Sequence, residues 1–272
     1  MTKAGKVIVY PLLILVLLGA LFPIWWIFAT SLESPSRAYS FPGALWPNGT
    51  MANYQAAWTA GPWLHFLANS TGIGIITTAL VLATSLLAAY WLVFLPNRAA
   101  GIMFVAILAT MMVPFYSIIV PDYLIVKHLG WINTYKAQII PFAANGFSVF
   151  LLVQFMRSLP REFWDAARID GVSNFRYLWS IVLPNLKPAM ATVSIYVFLL
   201  SWNAFLWPFV ITNGPKVQPI QVGLANLLST ANGTDWTVLS AAAAFTAIPV
   251  LILYAVAQRS IVESVSRTGI KG

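Results

Sequence analysis

The side chains in this sequence that could do chemistry are few, and their spacing argues against catalysis. The 272 residues include no cysteine, two histidines and seven acidic residues, which excludes disulfides, thiolate nucleophiles and cysteine metal sites. His65 and His128 each stand alone at a predicted helix edge. The sequence contains no Gly-x4-Gly-Lys-Ser/Thr, Gly-x-Ser-x-Gly or His-Glu-x-x-His motif. These motifs would mark a phosphate loop, a serine nucleophile and a zinc site. We therefore expect no catalytic residue, no metal site and no cofactor bound by this chain.

Three of the seven acidic residues fall in one short polar segment: Glu162, Asp165 and Asp170. Pro160 suits the first turn of a helix, and Glu162 follows where the helix dipole favours a carboxylate. Gly171 predicts the end of that helix, because glycine readily takes the left-handed conformation of a helix cap.

A second short helix is predicted directly after this bend. Ser173 is a typical N-cap, and Pro184 ends the helix. Apolar residues recur between them at helical spacing and predict one apolar stripe: Phe175, Leu178, Trp179 and Val182. The segment thus predicts two short helices, joined by a glycine bend, that offer one face to a partner.

Membrane-spanning helices must position this segment. The chain is 60% hydrophobic and only 8% charged, whereas soluble domains are about 25% charged, so lipid must be the solvent. A span needs about 20 mostly apolar residues, and six such runs lie near 7–30, 66–95, 99–121, 137–156, 186–211 and 237–261. The first run is too long for a signal peptide and lacks a cleavage site. The predicted fold class is an all-α polytopic membrane protein, a single domain over 1–272, with the polar segment at about 158–184 between the fourth and fifth spans.

The basic residues predict the orientation of these spans. Cytoplasmic loops of membrane proteins are enriched in lysine and arginine. With the amino terminus inside, the inner segments contain eleven: Lys3, Lys6, Arg98, Arg157, Arg161, Arg168, Arg176, Lys187, Arg259, Arg267 and Lys271. The outer segments contain four: Arg37, Lys127, Lys136 and Lys216. This bias predicts that both termini are cytoplasmic and that the number of spans is even. The basic residues are scattered and form no nucleic-acid-binding face.

Two predicted outer loops have an unusual composition. The first, roughly 31–65, is rich in proline and tryptophan, including Trp46, Trp58 and Trp63, as is typical of segments at the membrane interface. The connection between the fifth and sixth spans, roughly 212–236, includes Gly214, Pro215, Pro219 and Gly233. Either loop is compatible with an external partner or with an ordinary ordered connection.

The polar segment resembles the cytoplasmic signature of ATP-binding-cassette (ABC) importer permeases. That signature reads Glu-Ala-Ala, three residues, Gly, nine residues, then Ile-x-Leu-Pro. This chain has Asp165-Ala166-Ala167, Gly171 and Ile181-Val182-Leu183-Pro184 with both spacings intact. Aspartate at the first position keeps the charge but shortens its reach by one methylene.

Two further stretches resemble one branch of this family. Residues Ser201-Trp202-Asn203 through Pro208 are similar to the Trp-Asn segment of carbohydrate-type permeases. The carboxyl end resembles the tail of the maltose-type second permease, which reaches into the ATPase dimer. The resemblance therefore implies tail contacts to the ATPase from Arg267, Gly269 and Lys271.

The resemblance implies a function, a coupling site and a set of partners. The chain would be one permease subunit of a binding-protein-dependent carbohydrate importer in the bacterial cytoplasmic (inner) membrane. Its partners would be a second permease, favoured as a heterodimeric one, two ATPase subunits that bind ATP and Mg²⁺, and an extracytoplasmic solute-binding protein. The implied ATPase-coupling residues are Glu162, Asp165, Ala166, Ala167, Asp170, Gly171, Ile181, Leu183 and Pro184.

The pore lining must come from neutral polar groups, because the predicted spans contain essentially no ionisable residue. Asn203 is the leading candidate, since an amide in a span is costly without a partner. Trp202 beside it either stacks on a sugar ring or packs against lipid or a neighbouring helix. A neutral polyhydroxyl solute, with a di- or oligosaccharide favoured, fits this lining. A glycerol-phosphate-type ester or a polyol is the alternative solute for the same class of importer. A secondary transporter that works alone is the alternative class of protein. A membrane enzyme is disfavoured because no acid/base pair is present.

Overall fold

The computed structural model describes residues 3–38, 46–95, 98–229 and 234–268, with side chains described over 9–38, 46–95, 98–228 and 234–255. These residues form helices and no strand. In chain order the helices are α1 (Lys3–Ser31), α2 (Pro35–Ala38), α3 (Ala52–Thr59), α4 (Trp63–Phe94), α5 (Ala100–Thr110), α6 (Phe115–His128), α7 (Tyr135–Ile139), α8 (Gly146–Arg157), α9 (Arg161–Ile169), α10 (Asn174–Tyr177), α11 (Leu183–Asn185), α12 (Lys187–Trp202), α13 (Leu206–Ile211), α14 (Ile220–Asn226) and α15 (Trp236–Thr268). Short 3₁₀ turns follow α7 and α14, and a π-helical turn links α10 to α11.

Three described helices are long and apolar enough to cross a membrane by themselves. Their spanning parts are Val9–Ser31, Trp63–Phe94 and Trp236–Ala255. Three pairs of shorter helices also reach this length, but each pair is bent: α5 with α6 by 95°, α7 with α8 by 41°, and α10–α11 with α12 by 78°. If each pair is one span, the described chain has up to six, the number that the sequence predicts.

The predicted third span, 99–121, is not one continuous helix. α5 ends at Thr110, and α6 begins only after Pro114, whose backbone is extended. Proline has no N–H to donate and disfavours helical backbone at the residue before it, so Val113 cannot continue the helix. The predicted fifth span, 186–211, is likewise divided into α12 and α13 after Trp202.

The chain forms two compact units. The first comprises the described parts of Met1–His65 and Val222–Leu251. In this unit the Asn53 side chain links the end of α1 to the start of α15. Its amide nitrogen donates to the carbonyls of Ser31 and Glu33 at 2.9 and 2.7 Å, and its oxygen accepts from the Thr237 hydroxyl at 3.1 Å. The side chain of Glu33 is fully buried, which the sequence pattern did not indicate.

Trp63 is an exception to the interfacial prediction for the first outer loop. Trp46 and Trp58 are exposed, whereas Trp63 is 1% exposed. Its ring packs edge-on against Phe245 with 5.0 Å between centroids, and its N–H donates to the Ala57 carbonyl at 2.6 Å. Because this polar atom has a partner inside the protein, the ring does not need the wet interface.

The second unit contains the described parts of Phe66–Gln221 and Ile252–Gly272. Its main core joins α4, α8 and α12 through fully buried side chains such as Val81, Leu152 and Val193. This core extends without a break into the polar segment that the sequence singles out, because Tyr177 and Val182 belong to the same cluster.

Side chains near the start of α4 hold the segment that follows α13. The Asn69 amide donates to the carbonyls of Lys216 and Gln218 at 3.2 and 2.9 Å. Ser70 accepts the Ile220 amide at 2.8 Å. The Tyr135 hydroxyl donates to the Asn69 oxygen at 2.7 Å. The backbone of this segment is therefore fixed by contacts between residues far apart in sequence.

Candidate functional site: a helix–glycine–helix segment and a neutral cavity

The first predicted short helix is α9, Arg161–Ile169, and it ends in the predicted glycine bend. Gly171 has a φ of +69°, in the left-handed region that side chains disfavour. Its amide donates to the Arg168 carbonyl at 3.2 Å. The next amide, of Val172, donates to the Ala167 carbonyl at 2.9 Å. This pair of hydrogen bonds closes many helices and requires such a backbone at the glycine.

The second short helix begins at the predicted cap and contains an irregular turn. The Ser173 hydroxyl accepts the amide three residues on, at 3.4 Å. A π-helical turn, Leu178–Val182, follows directly, a feature frequent at functional sites. The prediction that Pro184 ends this helix is wrong: Pro184 lies inside α11, at its start, where its missing backbone N–H is tolerated. The Asn185 side chain donates to the Ile181 carbonyl at 2.7 Å.

The inner face of this segment is part of the protein core. Tyr177, Leu178 and Val182 are each no more than 3% exposed. They pack with α8 residues such as Leu152 and Met156 in one buried cluster. Movement of the segment must therefore move this core, because close-packed interiors transmit displacement.

An aromatic cluster fastens both short helices to the end of α4. The Tyr177 ring lies 4.9 Å from that of Trp164 and 5.3 Å from that of Phe94, edge to face in both cases. The Tyr90 hydroxyl donates to the Asn174 carbonyl at 2.8 Å. Edge-to-face ring pairs contribute about 0.5–1.5 kcal/mol beyond area burial, so this cluster adds to the attachment that the buried core residues of the segment provide.

The hydroxyl of Tyr177 adds nothing to this attachment. It is buried and has no hydrogen-bond partner in the described part of the chain. Burial raises the pKa of this phenol, which the sequence places outside the spans, and the carboxylate of Asp165 raises it further. The phenol therefore stays neutral, and its unsatisfied hydroxyl is a net cost to the fold.

The outer face exposes apolar side chains that a solvated loop would be expected to bury. Ile169 is 86% exposed, Phe175 72% and Trp179 50%, and the two rings lie 5.9 Å apart. The prediction of a single apolar stripe is therefore wrong. Leu178 and Val182 face the core, whereas the two aromatic residues point outward, because successive helical positions turn by about 100°. The exposure of Ile169 was not predicted from the sequence.

Most of the predicted coupling residues line the surface of this segment. Six are exposed: Glu162, Asp165, Ala166, Asp170, Gly171 and Pro184. Ala167 is buried, and Ile181 and Leu183 are half-buried. The three carboxylates and the apolar outer residues are thus available together on one short segment. In the described chain, no group of three or more acidic or histidine side chains is placed to hold a metal ion.

The predicted contacts of the carboxyl-terminal tail lie outside the described residues. α15 extends to Thr268, but the side chain of Arg267 is not described, and neither Gly269 nor Lys271 is. The tail contacts stay a prediction.

A second candidate site is a cavity of about 520 Å³ within the second unit. Side chains of α4, α7, α12 and α13 line it, together with residues at the starts of α6 and α8. Asn203, at the end of α12, is exposed to it, as the pore prediction requires. Sequence reasoning missed Gln138, which lines the cavity from the short helix α7.

Trp202 does not line this cavity. It is 2% exposed, and its ring stacks on that of Phe198 with 5.8 Å between centroids. Burial of Trp202 inside the protein agrees with a packing role for this ring and not with stacking on a sugar in this cavity.

An all-helical chain with broken membrane-length helices and a capped helix–glycine–helix segment fits the class of polytopic membrane permeases. Residues 81–267 match the family of binding-protein-dependent transport system inner membrane components, and the chain belongs to this family. It is a permease subunit of an ABC importer.

The sequences and the structure of several relatives align with most of this chain. The sulfoquinovosyl glycerol transport system permease protein SmoH of Agrobacterium fabrum is 31% identical, covering 99% of this chain and 95% of its own. The arabinooligosaccharides transport system permease protein AraQ of Halalkalibacterium halodurans is 33% identical, covering 82% and 80%. A permease chain in the crystal structure of a bacterial ABC transporter for alginate import superposes with a TM-score of 0.81 at 25% identity, covering 95% and 98%.

Proposed function

We propose that this chain forms half of the translocation pathway of an ATP-driven importer for a carbohydrate, with a di- or oligosaccharide favoured. Three relatives are named for a sulfoquinovosyl glycerol, for arabinooligosaccharides and for alginate, which contain sugar units, whereas another is named for sn-glycerol-3-phosphate. The neutral polar and aromatic lining of the cavity supports the same class, because sugars are recognised by hydrogen bonds and ring stacking.

The observation that carries the coupling role is the two-sided segment from Asp165 to Pro184. Its outer face exposes Phe175 and Trp179, while its inner face belongs to the core. An exposed apolar patch beside carboxylates is typical of a protein interface. We infer that an ATPase subunit, which supplies ATP and Mg²⁺, binds this outer face. Its closure would shift the core as a body, so that the pathway opens alternately to each side.

The remaining partners and the location complete the proposal. A solute-binding protein would deliver the sugar outside the cytoplasmic membrane, and a second, non-identical permease would complete the pathway. Both termini would be cytoplasmic, which puts Glu162 and Gly171 on the side where ATP is hydrolysed. The charge bias of the loops supports this orientation.

Co-purification tests this assembly. The tagged chain is extracted from its host in mild detergent, and the proteins that accompany it are identified and quantified by mass spectrometry. A stoichiometric ATPase with a phosphate loop and a second six-span chain are expected. A chain that is recovered alone, and that catalyses flux alone in liposomes, would establish a stand-alone transporter instead.

A matched pair of glycine variants tests the coupling segment. Gly171 and Gly130 have φ angles of +69° and +68°, and neither has a heavy atom within 4 Å of an added Cβ. Arginine at either position therefore meets the same backbone strain, about 1–2 kcal/mol. We expect Gly171→Arg to abolish uptake, and Gly130→Arg, beyond α6, to retain it, with equal membrane insertion. Normal uptake by Gly171→Arg would refute the coupling assignment.

A further inference from the structure

The lining of the cavity in the second unit is uncharged, which limits the ligands that the cavity can bind. A role in binding the transported solute rests on the proposed importer function. Not one of its lining residues is charged. A carboxylate or phosphate buried there would have no cation to compensate its lost hydration, which is strongly unfavourable. Neutral solutes are therefore favoured over acidic ones at this place, even though alginate, the solute of the structural relative, is an acidic polysaccharide.

Two amides of the lining are oriented so that they offer acceptors. The Gln138 nitrogen donates to the Val217 carbonyl at 2.9 Å, and the Asn203 nitrogen donates to the Leu199 carbonyl at 2.9 Å. A carbonyl can only accept, so each amide must turn its nitrogen to the protein, and its oxygen and one remaining N–H are not used in these two bonds. The Gln138 oxygen has no partner among the described residues. Such oxygens select ligands that carry hydrogen-bond donors, as hydroxyl groups do.

A third polar group of the lining also lacks a partner. Thr77 is 4% exposed, and its hydroxyl makes no hydrogen bond within the described chain. An unsatisfied buried polar group costs about 1–3 kcal/mol. The oxygens of Thr77 and Gln138 are covered in this structure, so contact with a ligand hydroxyl requires side chains of the cavity wall to rotate. Pairing with a ligand would then remove their cost.

Apolar rings complete the lining. Tyr116 and Phe205 are 73% and 42% exposed, and Phe142 and Trp207 close another part of the wall. The C–H face of a sugar ring packs on aromatic rings while its hydroxyls bond to amides. The volume of about 520 Å³ lies within the range of roughly 300–1,000 Å³ for small-molecule sites.

From these observations we propose that the cavity is a substrate subsite of this chain that takes a neutral, polyhydroxylated sugar ring. Asn203 and Gln138 accept hydrogen bonds from its hydroxyls, Thr77 adds a third contact, and Tyr116 and Phe205 provide the apolar walls. Selection would then not rest with the solute-binding protein alone.

The test uses two neighbouring threonines that differ only in their relation to the cavity. Thr77 lines it, whereas Thr78 does not, and both have buried hydroxyls without a partner. Thr77→Val and Thr78→Val each remove one unsatisfied hydroxyl at nearly constant volume. A purely structural role therefore predicts the same unchanged or increased thermal stability for both variants, and the same sugar binding.

Binding is measured on the intact complex, as it co-purifies, in lipid nanodiscs without the solute-binding protein. The readout is saturation-transfer NMR with arabinotriose and maltotriose as neutral probes and trigalacturonate as an acidic probe. We expect the neutral probes to bind and the acidic one to bind more weakly. Loss of one hydrogen bond corresponds to about a 3- to 10-fold weaker binding in Thr77→Val, with Thr78→Val unchanged.

Three results would overturn the subsite: no transfer to either neutral probe, equal or tighter binding of trigalacturonate, or equal binding by the two valine variants. If these occur in a complex that contains the ATPase and transports sugar, the importer function stands and only the subsite fails. If no ATPase accompanies the chain, the importer function fails, and the subsite that rests on it fails too.

Discussion

Tyr177 provides a quantitative test of how the coupling segment is attached to the core. Its ring is 1% exposed and contacts the rings of Trp164 and Phe94, while its hydroxyl has no partner in the described chain. Truncating a buried aromatic ring typically costs about 3–5 kcal/mol. Removing only an unsatisfied hydroxyl should cost nothing and can stabilise the fold by about 1 kcal/mol. Tyr177→Ala and Tyr177→Phe should therefore have opposite effects on the attachment.

Hydrogen exchange measured by mass spectrometry reports the attachment directly. In Tyr177→Ala the amides of 161–185 should exchange on the order of 10²- to 4 × 10³-fold faster, because each 1.4 kcal/mol is a factor of ten. Amides of α4 away from the cluster serve as the internal reference. In Tyr177→Phe the exchange should be unchanged or slower.

Either of two results would refute this reasoning. Fast exchange in Tyr177→Phe would mean that the hydroxyl is bonded and holds the segment. Unchanged exchange in Tyr177→Ala would mean that the segment is held by contacts other than this ring. The uptake assay is a separate measurement, and we expect Tyr177→Ala to lose uptake together with its attachment.

Two further predictions concern packing and the outer loop. A Cβ on Gly74 would lie 2.9 Å from the Phe198 ring, whereas nothing lies within 4 Å of one on Gly72. Gly74→Ala should thus destabilise the complex by about 1–3 kcal/mol, while Gly72→Ala should stabilise it by about 0.5–1 kcal/mol; similar melting temperatures would contradict this. Asn69→Ala removes the donors that hold the backbone around Lys216. Trypsin should therefore cleave after Lys216 several-fold faster in liposomes in which the predicted outer side of the protein faces the added protease. An unchanged cleavage rate would show that the loop is held by other contacts.

The coupling segment was predictable because its signals are local. Gly171 and Ser173 act through hydrogen bonds within a few residues, so residue type and spacing are enough to predict the bend and the cap. The outward orientation of Phe175 and Trp179 was not predictable in the same way. Apolar periodicity shows that residues share a face, but it does not show which face the rest of the chain covers.

The breaks within the predicted spans were not predictable from hydropathy. Hydropathy averages over about 20 residues, and the run 99–121 is apolar throughout, so the average conceals the effect of Pro114 on the backbone before it. The cavity is harder still to predict. Gln138 and Asn203 are 65 residues apart in the sequence, and only the folded chain brings them to one lining.

The network that holds the loop after α13 has a consequence for the biogenesis of the protein. Asn69 and Ser70 bond to Gln218 and Ile220, which follow them by 149 and 150 residues. At about 5–20 residues per second of translation, roughly 8–30 s separate the emergence of the two partners. During that interval the Asn69 amide must stay hydrated or find temporary partners in the translocation machinery. A truncated chain that ends before Gln218 would leave these groups without the partners that the folded protein provides.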